Sequence, residues 1–84
     1  MEELIKKTNI DPNHPIMRSL PIEAIVEKVK KIVEPDSVQY WTEVTPISKW
    51  RIAKLIFSKH DAYLLIEQTV SQDSYLTYFN YSII

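Results

Sequence analysis

Apolar positions along this chain follow two different periods. Between Ile22 and Val33 they fall at Ile22, Ile25, Val26, Val29, Ile32 and Val33, the spacing of three and four that gathers side chains on one face of an α-helix. Pro21 suits the first helical position, Glu23 falls in the first turn, Glu27 stands one turn before Lys31, and Pro35 stops the run. The opposite face carries Glu23, Glu27, Lys28, Lys30 and Lys31 and reads as solvated surface.

Beyond Pro35 the residues turn β-branched and aromatic. Val38 to Val44 suits a strand, and the apolar runs Ile52 to Phe57 and Tyr63 to Val70 flank a polar break at Ser58 to Asp61, which is how a β-hairpin is written. Lys49 to Lys59 has a helical alternative, with Thr45 and Pro46 as its start and Trp50, Ala53, Ile56 and Phe57 on one side. That helix would leave Leu55 on its polar side, and the polar break followed by a second apolar run favours a strand. Ser71 to Ser74 then turns the chain into a last strand, Tyr75 to Ile84. Three short connections imply antiparallel neighbours, because a parallel pair needs a crossover of a dozen or more residues. The expected fold is α+β: an N-terminal arm over residues 1–20, then a single domain over 21–84 with one amphipathic helix packed on a four-stranded antiparallel β-meander. Within the arm, Glu2 to Thr8 reads as a short helical turn and Asn9 to Pro15 as a breaker segment.

Register decides which residues meet. With Ser58 facing Ala62 across the turn, Ile56 pairs with Leu64, Phe57 with Tyr63 and Leu55 with Leu65. Through the second turn, Phe79 falls opposite Ile66 and Tyr78 opposite Glu67. One face then holds Trp50, Ile52, Ile56, Leu64, Ile66, Val70, Tyr75 and Phe79, and the helix is expected on that side. The other face holds Tyr40, Leu55, Phe57, Tyr63, Leu65, Leu76 and Tyr78, an apolar patch that a soluble monomer rarely leaves bare. Its expected cover is either the arm, through Leu4, Ile5, Ile10, Ile16, Met17 and Leu20, or a protein partner. The partner expected first is a second copy of this chain, meeting this face or the uncharged edge of the last strand.

Composition narrows the function. The chain of 84 residues has no Gly, which excludes a Gly-rich phosphate loop and leaves positive φ to Asp61, Asp73 or Asn80. With no Cys there is no disulfide or thiolate-metal framework, and a cytoplasmic location is expected. No run approaches the roughly 20 apolar residues of a membrane span, and the opening Met1-Glu2-Glu3 is acidic where a signal peptide is basic. Net charge is −1, so no global field draws nucleic acid.

His14 and His60 lie in polar turns at no metal spacing, and Ser58 with His60 and Asp61 on one tight turn makes a poor triad. Glu43 and Glu67 read as solvent-facing strand residues. No cofactor, metal or enzymatic activity is therefore expected. A local patch of Lys49, Arg51 and Lys59 with Trp50 and Phe57 between them gives an alternative, a surface for single-stranded nucleic acid. The leading expectation is a small protein-interaction domain that self-associates.

Overall fold

The computed structural model describes residues 18–71 and 73–83. Helix α1 spans Ile22–Lys30, and strands β1 (Ser37–Val44), β2 (Lys49–Phe57), β3 (Ala62–Ser71) and β4 (Ser74–Ile83) follow. The strands form one antiparallel sheet in the order β1-β2-β3-β4, a meander, as the short connections require. The segments Glu2 to Thr8 and Asn9 to Pro15, with His14, lie outside the described residues.

Helix α1 begins where Pro21 holds an extended backbone (φ −68°, ψ 159°) and its carbonyl accepts from the amides of Ala24 and Ile25 at 3.0 and 3.3 Å. Pro21 is thus the N-cap, one position earlier than its preference for the first helical turn suggests. The helix stops at Lys30 because the last amides close tightly on Val29, Ile32 at 3.0 Å and Val33 at 2.9 Å, ahead of Pro35. Glu27 pairs with Lys30 at 3.5 Å, three residues on instead of the expected four. Both side chains are exposed, so the pair adds little stability.

The apolar stripe of α1 is fully used. Ile22, Ile25, Val26 and Val29 are buried against Ala53, Leu55 and Phe57 of β2 and Leu64 and Ile66 of β3, with Leu20, Val33, Val38, Phe79 and Tyr81 around them.

Here the pairing expected for the β2–β3 hairpin is corrected by one residue. Phe57, not Ser58, lies opposite Ala62, so Leu55 meets Leu64, Ile56 meets Tyr63 and Ile52 meets Glu67. The connection is four residues long: a 3₁₀ turn over Ser58–His60, then Asp61 in the left-handed region at φ 49°, its amide bonded to the Ser58 carbonyl at 3.1 Å. Ser58 leaves the ladder because its amide donates to the Asp36 carboxylate in the linker before β1. Side chains alternate along a strand, so a slip of one residue exchanges the faces of β2 relative to β3. Leu55 and Phe57 therefore lie under the helix, at 0 and 2% exposure, and Trp50, Ile52 and Ile56 turn away from it. Tyr40 sits opposite Ala53, so it too is on the helix side. The β3–β4 register is as expected, with Phe79 opposite Ile66 and Tyr78 opposite Glu67. Asp61 and Asp73 take the positive φ angles, and Asn80 is ordinary strand.

The open sheet face as a candidate interface

Four cross-strand rows make up the side of the sheet that faces away from α1. Reading from β1 to β4 they are Ser37, Ile56, Tyr63, Ser82; Gln39, Lys54, Leu65, Asn80; Trp41, Ile52, Glu67, Tyr78; and Glu43, Trp50, Thr69, Leu76. Both tryptophans of the chain are among them. Of the residues expected to form an exposed patch, Tyr63, Leu65, Leu76 and Tyr78 are here, whereas Tyr40, Leu55 and Phe57 are on the opposite side. Trp41, Trp50, Ile52 and Ile56 complete the apolar set. The sequence pattern leaves them out because it pairs Ser58 with Ala62, a hairpin loop one residue shorter than the one observed.

The aromatic side chains are braced. Trp50 and Tyr78 approach to 5.9 Å between ring centroids at 45°, reaching across β3, and the Trp50 indole N–H donates to Ser48 Oγ at 2.9 Å. The Trp41 indole N–H donates to Glu43 Oε1 at 3.2 Å, and Lys54 Nζ lies 4.5 Å from the centre of the Tyr63 ring. Ile52, flanked by Trp41 and Glu67, is 5% exposed although no described element covers it, while Tyr78 at 54% and Leu76 at 39% stand out at the β4 side. The face is a fixed plate with apolar bodies and a few polar tips, the composition that binding surfaces favour. Its charges, Lys54 with Glu43 and Glu67, are of both signs.

The helix side is differently occupied. Arg51 donates to Glu23 Oε1 at 2.7 Å, and its guanidinium lies 5.7 Å from the Tyr40 ring centroid. The Arg51 hydrogen bond holds the Glu23 carboxyl below its usual 4.5. Gln68 and Thr77 are buried polar groups, and the Gln68 amide satisfies both the Thr77 hydroxyl at 3.0 Å and the Leu20 carbonyl at 2.9 Å. Burial pushes the Tyr81 phenol up to about 12.

These contacts disperse the basic set. Arg51 is engaged by Glu23, Lys49 and Lys59 stand near opposite ends of β2, roughly 30 Å apart at about 3.3 Å per residue, and Lys54 is on the other face. Glu43 and Glu67 share the open face but are separated by β2 and offset by one row, about 12 Å at the usual strand spacing and rise.

Ser58, Lys59, His60 and Asp61 form the exposed hairpin turn, beside a shallow pocket of about 370 Å³ lined by Val33, Glu34, Pro35, Asp36, Phe57, Lys59 and His60. Its one anchored polar group, Asp36, is spent on the Ser58 amide, which holds that carboxyl below its usual 3.8. Among the described residues no three His, Asp or Glu side chains cluster as metal ligands, and no helix is long and apolar enough to cross a membrane. No family model matches this chain, and no curated protein or solved structure matches it either.

Proposed function

We propose that the chain is a small non-enzymatic interaction domain, cytoplasmic, in which two copies pair through the open sheet face. The observation that carries this reading is a sheet with its only described helix on one side and Trp41, Trp50, Ile52, Ile56, Tyr63, Leu65, Leu76 and Tyr78 on the other. An amphipathic plate of this kind gains from burial in proportion to the apolar area removed from water. Four strands about 4.8 Å apart and about eight residues long give a plate of roughly 500 Å² in projection, and a larger accessible area. Two copies face to face therefore come within the range of a specific interface, which starts near 1,000 Å² in total.

Charge supports a second copy as the occupant. A face bearing Lys54 together with Glu43 and Glu67 can meet its own image with opposite charges in register, which a face of single sign cannot. The neighbouring edge strand β4 carries no charged residue over Ser74–Ile83, so nothing along it repels a copy of itself.

Because both tryptophans belong to this face, intrinsic fluorescence reports on it without a label. Emission shifting to the blue as concentration rises from nanomolar to high micromolar is the expected result. Emission that stays constant and red over that range sinks the proposal.

A further inference from the structure

Strand β4 is an edge without the usual protection. It pairs with β3 along its whole length of 10 residues, one to one and without a bulge, and among the described residues no strand lies on its outer side. Alternate residues of such a strand direct their N–H and C=O groups outward, where they can receive another strand. Charge, proline or a bulge ordinarily discourages this. Ser74–Ile83 has none of them, and its Tyr, Phe, Thr and Ile residues favour strand pairing. The opposite edge, β1, carries Glu43.

Geometry selects the occupant. A second β4 that meets the first antiparallel, around a two-fold axis normal to the sheet, sets helix-side residues opposite helix-side residues. Centred on Phe79, this pairing puts Tyr75 opposite Ile83 and Thr77 opposite Tyr81 on the helix side, and Leu76 opposite Ser82 and Tyr78 opposite Asn80 on the other. Ile83, 81% exposed, is thereby covered, whereas a register centred on Tyr78 sets it against Asp73 in the turn. Like charges never meet, because the strand has no charge. Helix α1 packs chiefly on β2 and β3, which leaves room beside β4 for a second copy.

We infer that the outer edge of β4 is a pairing site for β4 of a second copy, antiparallel and centred on Phe79, which joins two sheets into one. The overlap from Tyr75 to Ile83 is about 30 Å long on a sheet about 10 Å thick, so it buries roughly 600 Å² in total. That is below the roughly 1,000 Å² of a stable interface, and the contact fills at higher concentration than the pairing of open faces. It lies in the plane of the sheet and does not rest on the open-face pairing, and either can fail without the other.

Because the chain has no Cys, introduced cysteines report on this contact alone. Tyr75→Cys and Ile83→Cys chains, mixed at millimolar concentration with oxidised glutathione, should form a disulfide with each other at least tenfold faster than either forms with itself. Open-face pairing does not bring these positions together, since both are on the helix side. In the unaltered chain, magnetic resonance shifts of alternate β4 amides should move between micromolar and millimolar concentration while those of β1 stay fixed. Equal disulfide rates in the mixture and in either variant alone overturn the inference, as do β4 amide shifts that stay constant. Faster linkage of Tyr75→Cys with Tyr81→Cys than with Ile83→Cys overturns the register centred on Phe79.

Discussion

Leu55 and Leu65 are alike in type and sit on neighbouring strands, yet they have opposite fates. Leu55 is 0% exposed beneath α1, whereas Leu65 is half-buried on the open face. Leu55→Ala removes core volume that cannot refill and should cost about 2–5 kcal/mol, while Leu65→Ala should cost about 1 kcal/mol or less. Urea unfolding at low protein concentration checks both, and the reverse order would restore the register expected from the sequence.

Two carboxylates give a pH signature. The folded values of Glu23 and Asp36 are lowered, so the stability they add is complete above their ordinary values of 4.5 and 3.8 and is lost as pH falls through the lower folded values. Thermal melts in acid should therefore fall less steeply for Asp36→Asn than for the unaltered chain. At the alkaline end the raised Tyr81 phenol acts the other way: stability is whole below pH 10 and falls as pH rises towards about 12. Burial also raises the Tyr40 phenol, so a phenolate absorbance titration should show late ionisation from Tyr40 and Tyr81, and Tyr81→Phe should remove the latest step.

At the scale of elements, the helix and the β3–β4 hairpin were legible because each is fixed by nearby residues. Apolar spacing of three and four has one reading from Ile22 to Val29, and the short turn between Ser71 and Ser74 leaves little choice of pairing. The β2–β3 hairpin was legible as a hairpin but not in register. Both sides of β2 are apolar, Ala53, Leu55 and Phe57 against Trp50, Ile52 and Ile56, so the pattern could not choose between them. The choice falls to the loop, where Asp36, 22 residues upstream in sequence, draws the Ser58 amide out of the ladder and Asp61 absorbs the positive φ. A contact at that sequence distance leaves no local signal. The same error placed Tyr40, Leu55 and Phe57 in the candidate interface and left Trp41, Trp50, Ile52 and Ile56 out of it. If the loop holds the register, Asp61→Val should destabilise by about 1–2 kcal/mol, because a β-branched residue resists the left-handed region, and Asp61→Gly should be tolerated. Chemical denaturation of the two variants side by side separates them.

At the scale of the molecule, the described elements leave one face of the sheet without a second layer. The sequence revealed that such a face exists, since one amphipathic helix hides only one side of a sheet, but its membership depended on the register. Self-association through that face is the central claim, and molar mass by light scattering tests it most directly. The unaltered chain at high micromolar concentration should give about 20 kDa, twice the 9.9 kDa of one chain. Tyr78→Asp, at an exposed position of the plate on edge strand β4, should give a single-chain mass with its thermal melt otherwise intact at low concentration. A mass of 9.9 kDa for the unaltered chain at that concentration would contradict the account.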